Sequence, residues 1–272
     1  MLVFSNCKIN LGLNVVRKRS DGYHDIETVF YPVFWNDALE VIENSDNQQF
    51  NLTISGLSVE GSIEDNIIYK AHQLIAASYP IPPVKVHLHK NLAMGAGIGG
   101  GSANAACYIN LVDAKFNLKM PLTEKLKIAS KLGSDCSFFI ENKPVFATEK
   151  GNVFENINVD LSDYYILLVY PNIHSNTKLA YDGINPAIPN FSIKKIIETE
   201  PISNWRNLLV NDFEKSVFKV YPQISDIKNK MYTNGAVYAS MSGSGSTVFG
   251  LFKEKPIWQA NKNERVFIQE KN

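Results

Sequence analysis

A glycine-rich stretch at residues 94–106, MGAGIGGGSANAA, holds five of the sixteen glycines of this 272-residue chain. Glycine has no Cβ, so the backbone N–H groups of such a stretch can approach phosphate oxygens closely. The segment that follows has helical composition and contains neither glycine nor proline up to residue 117. The stretch therefore predicts a phosphate cradle that ends at a helix N-terminus, where the helix dipole attracts negative charge.

Two other phosphate motifs and a plain linker compete with this interpretation. A Walker A loop requires a Gly-Lys pair, and the sequence contains none. Gly95, Gly97 and Gly100 satisfy the dinucleotide spacing G-x-G-x-x-G, but the helix after them leads to a loop and another helix instead of a strand ending in an acid. A flexible linker would have polar surroundings and no abrupt helix start. These points favour a triphosphate cradle, with Ser102 as a helix N-cap, as a hydroxyl near the phosphates and Mg²⁺, or as both.

Asp135, Lys8 and Asn10 are the candidates for acid–base and acceptor-holding chemistry. Asp135, in LGSDCSFF, is a candidate general base, although an aspartate beside Ser134 also suits a helix N-cap. Lys8 and Asn10 share one face of an alternating segment with Gly12, while apolar residues occupy the other face. The lysine is either a solvated strand residue or a cation that stabilises developing charge.

The elements that must position these residues follow from periodicity. In the N-terminal half we expect a strand at 2–16, an Asp-Gly hairpin turn at 21–22 and two short strands over 38–57. We then expect a helix over 64–79, whose start is marked by Asp65, and a strand at 84–89 that leads into the glycine loop. Beyond the loop we expect helices over 102–117 and 123–133, the latter capped by Gly133, and a short helix or turn from Ser134.

The C-terminal half repeats this mixture without strict alternation of strand and helix. Residues 145–160 are mixed and polar, so we place a domain boundary there, with domains at 1–154 and 155–272. We then expect a strand at 164–170 and a loop region at 171–191. Three helices follow at 192–199, 203–218 and 222–233, and two strands at 236–243 and 246–252 flank SGSGS. This order of elements indicates the α+β class.

Composition excludes several classes of partner and compartment. Twenty-seven basic residues balance twenty-seven acidic ones, so no overall field draws the chain to nucleic acid or to an anionic membrane. The longest apolar run, YYILLVY, is far below the roughly 20 residues that span a bilayer, and the N-terminus does not resemble a signal peptide. We expect a cytoplasmic protein in which Cys7, Cys107 and Cys136 are reduced thiols.

The glycine-rich stretch resembles the phosphate loop of the GHMP kinases, the superfamily named for galactokinase, homoserine, mevalonate and phosphomevalonate kinases. Supporting stretches occur in that family's order: CKINLGLNV, DGYH, DNIIYKA, KLGSDCSFF, NDFE and SGSGSTVF. Ala93 and Ala96 stand where the family usually has proline and glycine, which concerns the fine shape of the loop. The triple glycine followed by Ser102 and Asn104 is most similar to members that act on a cytidine diphosphate-linked polyol.

The resemblance implies a two-domain fold, with an N-terminal mixed α/β domain, a C-terminal ferredoxin-like α+β domain, and the active site in the cleft between them. It implies ATP-dependent phosphorylation, with Mg²⁺, of the 2-hydroxyl of that polyol for non-mevalonate isoprenoid precursor synthesis. Another GHMP small-alcohol kinase, of homoserine or mevalonate type, is the alternative. We expect no nucleic-acid partner, no membrane, and a monomer or weak homodimer.

The resemblance also implies roles for individual residues. Lys8 lies against the catalytic Asp135 and the acceptor hydroxyl in this family. Independently of the resemblance, the histidines at 72, 87 and 89 are expected to be structural, since none joins a metal-ligand cluster. The residues expected to bind nucleotide are Asn66, Lys90, Ala93, Met94, Gly95, Ala96, Gly97, Ile98, Gly99, Gly100, Gly101, Ser102 and Ala103. Those expected to bind the acceptor are Asn10, Tyr23, His24, Thr177, Tyr181 and Gly243.

Overall fold

The computed structural model describes residues 1–46 and 48–271. The chain divides into two compact units, each assembled from separate segments. The first unit comprises Met1–Cys7, Phe34–Met94 and Gly99–Lys143, and the second comprises Lys8–Val33, Gly95–Ile98 and Pro144–Asn272. The predicted domain boundary divides the chain once, between residues 154 and 155, whereas each compact unit combines three separate segments. The predicted boundary stays a prediction.

The first unit packs helices on a mixed sheet. Its strands are parts of β1 (Leu2–Lys18) and β2 (His24–Glu43), with β3 (Phe50–Gly56) and β4 (Val84–Lys90). β4 runs antiparallel to β2 and parallel to β3. The helices are α1 (Ile67–Ala76), α2 (Gly100–Phe116), α3 (Leu122–Leu132) and α4 (Cys136–Glu141), and α2 packs against the other three. This arrangement holds the helix after the glycine loop at the centre of the unit.

The second unit contains a separate antiparallel sheet. β7 (Tyr165–Tyr170), β8 (Tyr238–Met241), β9 (Val248–Phe252) and β10 (Arg265–Gln269) lie in the order β10-β7-β9-β8. In the same unit β5 (Val145–Thr148) pairs with the first half of β2 and with β6 (Val153–Asn156). The helices are α5 (Thr177–Asp182), α6 (Ile193–Thr199), α7 (Trp205–Leu208), α8 (Glu214–Val220) and α9 (Pro222–Thr233), with a 3₁₀ turn at Ile202–Asn204.

The predicted α+β class is confirmed, and several predicted starting points are wrong. Asn66, not Asp65, caps α1, because its side-chain oxygen accepts the Ile68 N–H at 2.9 Å. α2 begins two residues earlier than expected and its N-cap is Gly99, so Ser102 lies within the helix and does not cap it. Gly133 does cap α3 as expected.

Other differences arise from long-range pairing. The predicted helix over 203–218 is divided into α7 and α8, because Val210 O and Asp212 N hydrogen-bond to Leu13 of β1 and hold the chain extended between them. The segment from residue 38 to 43 belongs to the long β2, not to a separate strand. β5, β6, β10 and α5 lie in segments for which the sequence predicted no element. In the described part of the chain, no helix has the length and apolar character needed to cross a membrane.

Candidate active site

The glycine loop has the geometry of an anion cradle. Gly95, Gly97 and Gly99 have φ angles of 65°, 78° and 71°, in the left-handed region that only glycine adopts readily. A Cβ on Gly97 would overlap the carbonyl oxygen of Ser242, so this position also requires glycine for space. Gly99 precedes the 17-residue α2 without a side-chain cap. The N–H groups of the first turn are therefore not satisfied by a cap, and they suit phosphate oxygens.

Asp37 on β2 anchors the chain just before this loop. One carboxylate oxygen accepts the backbone N–H groups of Asn91 and Leu92, each at 2.7 Å. The other oxygen accepts from Asn104 Nδ2 at 2.9 Å and from the Lys90 ammonium. Lys90 and Asp37 are 1% and 0% exposed at their side chains, so they form a buried ion pair. Burial lowers the pKa of Lys90, and the Asp37 carboxylate opposes that shift.

The Lys90 side chain is thus committed to the interior of the first unit. Its expected role in nucleotide binding stays a prediction, and so does that of Asn66, whose side-chain oxygen is used in capping α1. Ala93 and Ala96 are both buried, whereas Met94 is exposed. The loop therefore turns different residues inward and outward over a short stretch.

Asp135 occupies the N-cap position of α4 but does not act as a cap. Its φ and ψ angles are −77° and −15°, and its side chain makes no capping hydrogen bond. The residue is half-buried. In this unit Ser102, in the first turn of α2, lies close to the thiol of Cys136, the residue after Asp135. The structure therefore brings the predicted phosphate hydroxyl beside the segment that carries the candidate base.

The cysteines are free thiols, as expected. Burial raises the pKa of Cys136 to about 11, with the Ser102 hydrogen bond acting in the opposite direction. Burial also raises the pKa of Cys107 to about 12. Both thiols stay protonated near neutral pH, so they are poor nucleophiles.

Lys8 in the second unit is not a solvated strand lysine. It is 3% exposed, and its ammonium donates to Asn10 Oδ1 at 2.6 Å and to the Gly97 carbonyl at 3.2 Å. The nitrogen also lies 4.8 Å from the centroid of the Phe30 ring. A buried ammonium held by two oxygens is a fixed positive charge next to the glycine loop.

A second glycine loop, residues 242–247, contacts the two oxygens that accept from Lys8, Asn10 Oδ1 and the Gly97 carbonyl. Ser242 Oγ donates to the Gly97 carbonyl at 2.9 Å and lies 3.3 Å from Asn10 Oδ1. Gly243 has a φ of 54°, and a Cβ there would lie 3.4 Å from Asn10 Oδ1. Asn211 Nδ2 holds this loop through the carbonyls of Met241 and Gly243, at 2.7 and 2.8 Å. The predicted acceptor residues Asn10 and Gly243 are therefore neighbours.

Two of the residues expected to bind the acceptor, His24 and Tyr181, form an aromatic pair in the second unit. The rings of His24 and Tyr181 stack with centroids 4.5 Å apart, and Tyr181 meets Phe213 edge-on at 4.7 Å. Burial, with a smaller contribution from Lys18, lowers the pKa of His24, which favours the neutral imidazole. Tyr23 is 61% exposed, and the Lys150 ammonium lies 4.9 Å from the centroid of its ring.

The remaining predictions concern Thr177, expected to bind the acceptor, and a bound Mg²⁺ ion. Thr177 Oγ1 lies 3.1 Å from Ser244 Oγ, so the start of α5 touches the second glycine loop. Within residues 1–46 and 48–271, no three His, Cys, Asp or Glu side chains converge as a metal site. Ser102 stays the predicted hydroxyl near the phosphates and Mg²⁺, an ion that prefers one or two protein oxygens plus phosphate oxygens.

Sequence reasoning missed several residues that hold predicted site residues in place within each unit. Asn211 and Ser242 lie in the NDFE and SGSGST stretches, so these motifs were a signal for them. Asp37 and Thr28 carry no local signal, since their partners lie on other elements. Asn104 was visible in the glycine stretch, but its contact with Asp37 was not.

Comparison with known proteins gives consistent matches along the chain. Residues 66–142 match the family model "GHMP kinases N terminal domain", and residues 193–264 match "GHMP kinases C terminal". The 4-diphosphocytidyl-2-C-methyl-D-erythritol kinase of Bacteroides fragilis is 49% identical, over 93% of this chain and 92% of that protein. The protein of the same name from Parabacteroides distasonis is 50% identical, over 94% and 93%.

A solved structure matches at the level of the fold and the sequence. The crystal structure of a 4-(cytidine 5'-diphospho)-2C-methyl-D-erythritol kinase superposes with a TM-score of 0.76 at 26% identity. The match covers 92% of this chain and 90% of that one.

Proposed function

The chain belongs to the GHMP kinase family, and we propose that it transfers the γ-phosphoryl group of ATP to the 2-hydroxyl of 4-diphosphocytidyl-2-C-methyl-D-erythritol. This reaction serves the non-mevalonate route to isoprenoid precursors. The observation that carries the substrate is the match to relatives of that name at about half identity along nearly the whole of both chains. The His24–Tyr181 pair supports it, because stacked aromatic rings suit a pyrimidine base.

Phosphoryl transfer depends mainly on positioning and on charge stabilisation. We assign the triphosphate to the glycine loop, residues 93–103, where left-handed glycines and the uncapped start of α2 offer backbone N–H groups. Asn66 and Lys90 are assigned to the adenine side on the family resemblance alone. Mg²⁺ is the metal that such a reaction uses, and it would neutralise phosphate charge near Ser102 and Asp135.

Asp135 and Lys8 are assigned to the chemical step. A carboxylate that is not used as a cap can orient the acceptor hydroxyl and take its proton. A buried ammonium can stabilise developing negative charge on the attacking oxygen. Asn10 and Gly243 are assigned to the acceptor beside Lys8, and Tyr23, His24, Thr177 and Tyr181 to its cytidine end. We further propose a cytoplasmic enzyme that is a monomer or a weak homodimer.

A coupled assay of ADP release against a panel of alcohols tests the function. The panel contains 4-diphosphocytidyl-2-C-methyl-D-erythritol, the same polyol phosphate without cytidine, homoserine and mevalonate. We expect the highest kcat/KM with the cytidylated compound and phosphorus NMR signals of a 2-phosphate product. A higher kcat/KM with homoserine or mevalonate would contradict the assignment and favour the alternative small-alcohol kinase.

A further inference from the structure

We propose that Thr28, a buried residue of β2, is a positioning residue that fixes the orientation of the Asn10 amide and thereby holds the Lys8 ammonium. Thr28 is 0% exposed and belongs to none of the assigned binding or catalytic positions. Its hydroxyl lies between two groups of the second unit, the Gly12 carbonyl at 2.6 Å and Asn10 Nδ2 at 2.9 Å. The inference rests on the proposed function only where turnover is the readout.

The direction of these hydrogen bonds follows from the chemistry of each group. A carbonyl oxygen can only accept, and a threonine hydroxyl has one proton to donate. Thr28 therefore donates its one hydroxyl proton to the Gly12 carbonyl, so Thr28 Oγ1 can only accept a hydrogen bond from Asn10. Asn10 must then present its NH₂ group to Thr28 and its oxygen to the opposite side.

The opposite side is where Lys8 lies. The Lys8 ammonium has only donors, so it requires an acceptor, and Asn10 Oδ1 is 2.6 Å away. A reversed amide would place NH₂ against the ammonium and oxygen against a hydroxyl whose proton is already used. Both contacts would be lost at buried positions, which is costly. Thr28 therefore selects the one amide orientation that binds Lys8.

This chain of hydrogen bonds begins at Gly12, where β1 departs from regular strand geometry. Gly12 has a φ of 70° within β1, and a Cβ there would lie 2.9 Å from Leu209 Cγ. Glycine at this position is required both for the backbone conformation and for space. The relay runs from the Gly12 carbonyl through Thr28 and Asn10 to Lys8, and every member is buried.

Two substitutions at Thr28 separate the hydroxyl from the packing. Thr28→Val keeps the shape and removes the hydroxyl, so we expect kcat to fall about tenfold while the KM values for ATP and acceptor change less than about twofold. Thr28→Ser keeps the hydroxyl and should recover most of the wild-type kcat. Thr148→Val, the same change on the neighbouring β5, is the control and should leave kcat unaltered.

The dependence on Asn10 is the decisive kinetic comparison. In an Asn10→Ala background, Thr28→Val should change kcat less than about twofold, because the amide that Thr28 orients is absent. A full tenfold loss in that background, or a Ser variant as impaired as the Val variant at equal stability, would overturn the proposal.

A measurement without turnover keeps the proposal independent of the reaction. The Asn10 side-chain amide, identified in NMR spectra by its loss in Asn10→Ala, should exchange with solvent slowly in wild type and Thr28→Ser, and faster in Thr28→Val. Exchange in wild type as fast as that of an exposed asparagine would overturn the proposal. Slow, Thr28-dependent exchange in a protein that phosphorylates none of the alcohols would support the relay and reject the proposed function.

Discussion

The imidazole of His24 stacks on the ring of Tyr181, with the two planes 16° apart and the centroids separated by 4.5 Å. Each ring covers a face of the other, so a pyrimidine that stacks between them has to separate them first. Phe213 supports Tyr181 from the edge. Burial lowers the pKa of His24 and so favours the neutral imidazole, which suits a neutral base better than a cation would.

The first prediction tests this aromatic pair as the cytidine site. Tyr181→Ala should raise KM for the cytidylated acceptor by removing stacking worth roughly 1 to 3 kcal/mol, while KM for ATP stays unchanged. Tyr181→Phe keeps the ring and should stay close to wild type. Steady-state kinetics at varied acceptor concentration test this prediction. An unaltered acceptor KM in Tyr181→Ala would show that the cytosine base does not stack on Tyr181.

The second prediction tests the glycine loop as the phosphate cradle. Gly99 has a positive φ, so a valine there would strain the backbone even without nucleotide. Gly101 is the cleaner position, because it lies in helical backbone and the nearest atom to an added Cβ is the flexible Met94 Cε at 3.6 Å. We expect Gly101→Val to fold and to bind ATP at least tenfold more weakly, as measured by calorimetry.

The matched control for this variant lies on the same helix. Ala114→Val adds the same branched side chain at an exposed position of α2 and should leave ATP affinity unaltered. Normal affinity in a well-folded Gly101→Val protein would mean that phosphate does not approach this turn.

The third prediction separates a structural role of Lys90 from a role in nucleotide binding. Lys90→Met leaves the Asp37 carboxylate buried without its cation, so we expect a loss of roughly 3 to 5 kcal/mol in the free energy of unfolding. Lys85→Met on the same strand breaks an exposed ion pair with Asp46 and should cost about 1 kcal/mol or less. Denaturant titration measures both. Unchanged stability with weaker ATP binding would instead assign Lys90 to the adenine.

The fourth prediction concerns His72, which is buried and bonded to Tyr108 through Nδ1 at 2.7 Å. Burial lowers the pKa of His72 to about 4 from its usual 6.5, so the unfolded chain binds a proton that the folded chain does not between these values. Its contribution to stability is complete above pH 6.5 and falls by about 3 kcal/mol by pH 4.

Replacing His72 should remove that part of the pH dependence. His72→Asn keeps a polar group near Tyr108, and the slope of unfolding free energy between pH 6.5 and 5 should become shallower than in wild type. His87→Asn on the exposed side of β4 is the control and should keep the wild-type slope. An identical slope in His72→Asn and wild type would contradict the buried, neutral state of His72.

Local patterns predicted the elements well where helix signals and capping agree. α9 was expected at 222–233 and is found there, because Pro222 suits the first helical turn and apolar residues follow at helical spacing. The start of α2 was misplaced because Ser102 looks like a cap, while the actual turn uses the left-handed Gly99. The break between α7 and α8 depends on pairing with Leu13, about 200 residues away, which no local window contains.

The site shows the same division between local and distant information. Lys8 and Asn10 were placed on one face of β1 by alternation, and the hydrogen bond between them agrees with that face. The burial of Lys8 was not predictable, since it results from the carbonyl of Gly97 and the ring of Phe30. The anchoring of the glycine loop by Asp37 likewise joins positions more than fifty residues apart.

Kinetics of Asp135→Asn, Lys8→Met and the double variant test the proposal that Asp135 takes the acceptor proton and that Lys8 supports this step. Asp135→Asn preserves size and removes the base, so kcat should fall by about 10² to 10⁴-fold while ATP affinity persists. Lys8→Met should also lower kcat, and the double variant should be far less impaired than the product of the two losses. Asp226→Asn, an exposed position on α9, serves as the control.

The most direct single measurement is kcat of Asp135→Asn with saturating ATP and cytidylated acceptor, taken together with its unfolding free energy. We expect a loss of at least about a hundredfold in kcat at nearly wild-type stability. A near-normal kcat of Asp135→Asn at nearly wild-type stability would contradict the catalytic assignment.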